Sequence, residues 1–237
     1  MKIKQEDINE VPDINKYEDI IKAAKSGNLI IFVGAGVSKL LKLPLWYEFA
    51  LNRLNTIYEA DLIDYRTYEM LKKLDAKKIL TICKLFMKEE GIKAQLAQEV
   101  FEFEKDEKYD NVYSKLYSMN AIYVTTNYDE CLDQVAERVV SIESLREDEG
   151  SETSNRVIYK QSELAEEKLK IGNVIHIHGS VKEEMDMIVT LNDYLKHYGN
   201  NSKENQLSNF LRTVFNTKYI VLFMGYGLEE YEILEYM

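Results

Sequence analysis

The sequence predicts an α/β protein, a Rossmann-like doubly wound parallel sheet carrying a helical insertion. Three observations predict it. First, three apolar runs, "LIIFVG" from Leu29, "AIYVTT" from Ala121 and "KYIVLFMG" from Lys218, each end in small or polar residues and pass into a helical pattern. Second, a fourth run, "NVIHIHG" from Asn173, ends at a histidine and a glycine. Third, residues 46–119 hold no convincing strand and show apolar residues at three- and four-residue spacing, the mark of successive helices. Strands alternating with helices argue for a parallel sheet covered on both faces. In such sheets ligands bind in the crevice beyond the carboxyl ends of the strands.

The elements follow in chain order. "YEDIIKAAKSGN" reads as a helix closed by Gly27 at its carboxyl end. "LIIFVG" is apolar throughout, as a strand buried on both faces requires. "YEFALNRLNTIYEA" and "KKILTICKLFMKEE" are helices of the insertion. "AIYVTTNYDECLDQVAERV" gives a strand, a turn at Thr126-Asn127 and a helix from near Asp129. "SIESLREDEGSETSN" reads as a solvated loop and "RVIYK" as a short strand. "NVIHIHGSV" is a strand ending at His178-Gly179, and "KYIVLFMGYGLEEYEIL" gives strand, Gly-Tyr-Gly turn and helix. The whole, residues 1–237, reads as one nucleotide-binding domain with a subdomain inserted in it. Ending at Met237 inside an apparent helix, it is expected to be truncated or followed by further modules.

Composition excludes several classes. Against 30 Lys and Arg stand 41 Asp and Glu, a net charge of -11, so direct nucleic-acid binding is not expected. No apolar run approaches the ~20 residues that span a bilayer, and "MKIKQEDINEVPD" lacks the apolar stretch of a secretory signal. The expectation is a cytoplasmic protein away from membranes. Cys83 and Cys131, far apart in helical patterns, offer neither a disulfide framework nor a zinc site, and no metal is expected.

The strand ends carry the chemistry. In "VGAGVS", Gly34 and Gly36 permit close backbone approach and Ala35 stays small, so the turn is either a pyrophosphate cradle at a helix start or a tight corner after a buried strand. It is not a Walker loop, and Lys39 stands where the third glycine of a Gly-x-Gly-x-x-Gly fingerprint would be. The Asn127 amide suits ribose hydroxyls or an ordered water. Asp129 could recognise a carboxamide or cap the helix after it. His176 and His178 are expected on opposite faces of their strand, His176 buried and His178 at the rim, where an imidazole is a fitting general base. His197 belongs on a helix surface. "MGYG", Met224 to Gly227, repeats the glycine turn.

Taken in order, "GAGVS", "TTNYD", "HIHG" and "GYGL" resemble the sirtuin signature in the version of bacterial sirtuin-like NAD-consuming proteins, over roughly Leu29 to Leu228. The resemblance implies that Gly34, Ala35, Gly36 and Ser38 hold the pyrophosphate and adjoining ribose of NAD⁺. It implies that Asn127 contacts the nicotinamide ribose or positions water, and that Asp129 recognises the carboxamide. His178 would act as base through the ribose hydroxyls, and Gly225 and Gly227 would line the phosphate side. The chain departs from the family in lacking the two cysteine pairs of zinc-binding sirtuins. Leu45 and Tyr47 stand where sirtuins hold Asp and Arg, Thr126 replaces a glutamine, and Tyr226 and Gly227 replace hydroxyl residues. An altered peptide cleft leaves water as the expected acceptor. The activity implied is an NAD⁺ glycohydrolase releasing nicotinamide and ADP-ribose in anti-phage abortive defence, held in check by oligomerisation or a regulatory partner. Protein deacylation, ADP-ribosyl transfer and a non-catalytic NAD or ADP-ribose sensor are the alternatives.

Overall fold

The computed structural model describes residues 16–89, 101, 111–144, 156–199, 205–228 and 230–237. Within them five parallel strands form one sheet: β1 (Leu29–Val33), β2 (Ile122–Thr125), β3 (Val157–Ile158), β4 (Val174–His176) and β5 (Ile220–Met224), in the order β3-β4-β2-β1-β5. The predicted doubly wound α/β fold is what is found. β1 lies between β2 and β5, so the order reverses at the β1–β5 pair and opens a crevice there.

Burial on two faces explains the apolar runs. Ile30 and Phe32 of β1 enter one core with Ile122, Val124 and Ile175, beneath helices α8 (Leu191–Tyr198) and α9 (Gln206–Val214). Leu29, Ile31 and Val33 enter the other with Tyr123 and Val174, beneath α1 (Glu18–Ser26), α6 (Val112–Tyr117) and α7 (Cys131–Ser144). Helix α1 stops because Gly27 takes a left-handed conformation, φ 74°, and its N–H bonds back into the last turn. After β1 come only a four-residue helix, α2 (Ala35–Ser38), and a short 3₁₀ turn.

Helices α3 (Trp46–Glu59), α4 (Tyr65–Leu71) and α5 (Ala76–Glu89) follow. They build their own core from Phe49, Leu54, Ile57, Ile79, Leu80 and Cys83, which meets the sheet domain at Tyr128 and Met187. Helix α6, though inside the stretch 46–119, packs on the sheet instead, through Tyr113, Leu116 and Tyr117.

Two expectations need adjusting. Helix α7 runs through Ser144, so the start of the expected loop is helical; residues 145–155 lie outside the described ones. Strand β4 ends at His176, two residues earlier than read from the sequence. That early end matters, because residues two apart on a regular strand share a face. His176 and His178 do face opposite sides, but only because the chain turns after His176.

Candidate functional site

Register brings the predicted turns to one level. Val33 pairs with Thr125 on one side and Met224 on the other, and Thr125 pairs with His176. Gly34, Thr126 and Gly225 therefore step off the sheet side by side. Beyond them opens a cleft of about 900 Å³, lined on the sheet side by Ala35, Gly36, Thr126, Asn127, Asp129, Gly225 and Gly227. Trp46, Tyr47, Lys77 and Lys78 of helices α3 and α5 line it too, as do Asp75 and Glu230. The volume is in the range of small-molecule sites.

The glycines do something more local than open a path to a ligand. The Gly34 N–H donates to Met224 O (2.9 Å) and the Gly36 N–H to Gly225 O (2.8 Å). A Cβ on Gly36 would lie 2.7 Å from that Gly225 oxygen, and one on Gly34 would lie 2.6 Å from Tyr226 Cα. Gly225 itself has φ 63°. The two turns interlock backbone to backbone, and side chains on either would force them apart. With α2 only four residues long, little macrodipole is available for a phosphate.

Behind this wall lies a closed polar network. Ser38, 1% exposed, donates from Oγ to Asp129 Oδ2 (2.7 Å) and accepts from Asn127 Nδ2 (2.9 Å). Because its proton goes to Asp129, the Tyr113 hydroxyl at 2.7 Å donates to it. Asp129 Oδ1 accepts the Cys131 N–H at the start of α7 (3.1 Å). Both Asp129 oxygens are thus engaged, although the residue borders the cleft. Asn127, held by its Nδ2, keeps a buried Oδ1 with no hydrogen-bond partner.

The histidines part company here. His176 donates from Nδ1 to Asn127 O (2.8 Å) and from Nε2 to Asp133 Oδ1 (2.7 Å). Two acceptors hold it as imidazolium. Burial works against that charge, but the Asp133 carboxylate, its hydrogen bond and the Asn127 carbonyl outweigh it and raise the pKa. His178 is fully buried and is not part of the cleft wall. Its Nε2 lies 2.6 Å from the Tyr198 hydroxyl and its ring meets Tyr194 edge-on at 5.4 Å. Burial, assisted by the charges of Lys77 and His197, pushes its pKa down to about 3. It approaches the cleft through Glu230, whose Oε2 is 3.8 Å from Nε2. His197 is half-buried on α8.

Of the predicted site residues, then, Ala35, Gly36, Asn127, Asp129, Gly225 and Gly227 gather at one cleft, while Gly34, Ser38 and His178 stand behind it. Sequence reasoning missed Tyr113, Lys77 and Glu230. The signal for Glu230 was an acidic pair directly after the second glycine turn, which also reads as an ordinary helix surface.

A parallel doubly wound sheet with paired glycine turns and a cleft at the strand-order reversal defines a Rossmann-like α/β class of domain. Within that class, residues 121–237 match the SIR2-like domain family. Over 228 residues, 91% of the chain, the sequence is 28% identical to defense-associated sirtuin 2 of Bacillus subtilis. The match covers 19% of that protein, so the chain spans about a fifth of its relative's length. Fold and sequence together make the chain similar to sirtuin-like domains, of which that defence-associated protein carries one. Among the described residues there is no group of His, Cys, Asp and Glu able to hold a metal ion, and no helix long and apolar enough to cross a membrane.

Proposed function

We propose that the domain hydrolyses NAD⁺ at the nicotinamide–ribose bond, giving nicotinamide and ADP-ribose, and that this consumption of NAD⁺ serves anti-phage defence. The observation that carries the reading is Asn127. Its amide is fixed by Ser38, its Oδ1 is buried and unpaired, and the residue lines a cleft bordered by both glycine turns. Such an acceptor fits a ribose hydroxyl or the attacking water, and meeting one would relieve the cost of its isolation.

In this reading Ala35, Gly36, Gly225 and Gly227 border the phosphates. Gly34 and Ser38 act indirectly, the first by locking the turns together and the second by aiming Asn127. Asp129, with both oxygens engaged, secures Ser38 and the start of α7. Cleavage sends the C–N bonding pair to the nicotinamide ring and leaves an oxocarbenium-like sugar, which water captures with release of a proton. His178, behind the wall, orders the groups that meet the sugar. The relative's name associates it with defence and supports the biological role. Because an unchecked activity of this kind would exhaust its host, we assign control to self-association or to a regulatory partner domain.

The test is incubation of the full-length protein, in its activated state, with NAD⁺ alone, and mass spectrometry of the products. The parent should release nicotinamide and ADP-ribose without any peptide acceptor. Asn127→Ala should lower the rate by about 10²–10³-fold, the usual cost of losing one preorganised polar group at a reacting centre. Absence of nicotinamide release by the activated parent would end the reading.

A further inference from the structure

Three carboxyl groups border the cleft: Asp75, Asp129 and Glu230. Two are already committed. Asp129 accepts from Ser38 and from the Cys131 N–H. Asp75 accepts from the Lys78 N–H (3.0 Å) and pairs with Lys78 Nζ (2.8 Å). Glu230 is different. It holds the residue position before α10 (Tyr231–Leu234), where a carboxylate commonly caps, yet its side chain makes no cap. Its Oε2 is buried without a hydrogen-bond partner, as are His178 Nδ1, Tyr194 Oη and Tyr226 Oη. Tyr226 and Glu230 lie close enough to interact, but none of the four atoms makes a hydrogen bond of good geometry, and such burial costs the fold free energy. Such a cost is expected where an arrangement is kept for chemistry rather than for stability.

The hydrolysis proposed above, on which this inference rests, releases one proton, and a group facing the reacting centre must take it. We propose that Glu230 is a catalytic residue of this cleft, accepting the proton of the attacking water, and that His178 is a positioning residue which holds the Glu230 carboxyl from behind. The water oxygen bonds to C1′ of the ribose as the C–N bond breaks and its electron pair passes to the nicotinamide nitrogen. The water proton passes to Glu230 and from there to solvent, so that NAD⁺ and water yield nicotinamide, ADP-ribose and H⁺.

The electrostatics agree with the geometry. Burial raises the Glu230 pKa, the Lys77 charge opposes the rise, Glu232 adds to it, the Tyr226 hydroxyl lowers it again, and the outcome is about 7. A base is most effective when its pKa lies near the working pH. The groups facing it are Lys77 from α5, Glu232 from α10, Tyr226 from the second glycine turn, Tyr194 and Tyr198 from α8, and His178 and Tyr128. His178, held uncharged with a pKa near 3, is a poor proton acceptor by comparison.

The experiment compares the full-length parent with Glu230→Gln, Asn127→Ala and His178→Gln, reading kcat against pH, NAD⁺ affinity by calorimetry and the melting temperature. The parental kcat should fall as pH drops through about 7, because the base must be ionised. Glu230→Gln should lose about 10²–10⁴-fold in kcat and lose that acid limb. Its NAD⁺ affinity should stay within about threefold, since the contact is made in the transition state. Glu230→Gln turning over at the parental rate with its acid limb intact, while Asn127→Ala is inactive, overturns the assignment and leaves NAD⁺ hydrolysis standing. A parent that releases no nicotinamide removes the hydrolysis reading and this one with it. Should Glu230→Gln melt lower than the parent, Glu230→Asp decides: a slower enzyme that keeps the acid limb supports the role, and one without the limb overturns it. His178→Gln should move the limb along the pH axis, and an unmoved limb overturns the positioning role.

Discussion

His176 and His178 are two residues apart, both fully buried, and chemically opposite. The His176 side of the sheet is an ion-paired network: both ring nitrogens donate, Asp133 Oδ1 accepts, and Asp133 Oδ2, which makes no hydrogen bond, has the Lys182 ammonium at 4.0 Å. On the His178 side, polar atoms of His178, Tyr194, Tyr226 and Glu230 are buried without partners. One imidazole is held charged by its neighbours, the other is held neutral by its burial. The difference teaches how a single strand end divides its labour. The ion-paired side holds the Asn127 backbone through His176, and the other side buries uncharged polar groups around Glu230.

The comparison breaks most sharply at Asp133. Asp133→Ala would strand the His176 imidazolium in the core, and removing one partner of a buried ion pair costs about 3–5 kcal/mol. For a chain of this size that is a fall in melting temperature of about 10 °C, read by calorimetry or circular dichroism. Glu230→Gln should leave the melting temperature unchanged or raise it, since the carboxyl it neutralises is already disfavoured as a charge. A variant pair with the reverse ranking would show that the two sides do not divide as described.

Next in size is Gly36→Val. A Cβ there meets the Gly225 backbone at 2.7 and 3.0 Å, and backbone cannot swing aside as a flexible side chain would. Overpacking of this kind costs about 1–3 kcal/mol. The expected result is a lower urea midpoint together with weaker NAD⁺ binding, because the displaced turns border the cleft. Full stability with weakened binding would show instead that the glycine serves the ligand alone.

Much of this was legible in the sequence. Strands buried on both faces leave continuous apolar runs, so β1, β2 and β5 announced themselves, and register then placed Gly34, Thr126 and Gly225 together. The motif order pointed to residues that gather at one cleft. What was hidden depends on tertiary context. Nothing local says that β4 stops at His176, because Ile177 and His178 continue the strand pattern and yet lie in a turn. Nor does "GAGVS" disclose that its glycines answer to "GYG", since the partner turn lies nearly the whole chain away. Glu230 reads as one acid in "LEEYE" until the fold buries its carboxyl beside an imidazole 52 residues earlier (230 − 178).

The smallest effect tests the neutral state of His178 directly. Its folded pKa lies far below the ordinary imidazole value, so on acidification the unfolded chain takes up a proton that the folded one refuses. Stability that is fully present above about pH 6.5 is then lost as pH falls towards the folded pKa. Between about pH 7.5 and about pH 5.5 the linkage from this one group amounts to about 1.4 kcal/mol, for any folded pKa well below that window. His178→Gln keeps a polar group beside Tyr198 and cannot titrate. The parent should therefore lose about 1.4 kcal/mol more than the variant over that range, measured as urea unfolding free energies at the two pH values. His176 acts in the opposite sense, its raised pKa adding stability below its unfolded value that is lost only as pH rises, so it cannot mimic the effect. Parallel pH slopes in parent and variant would mean that His178 takes up its proton in the folded state, and the contrast between the two imidazoles would disappear.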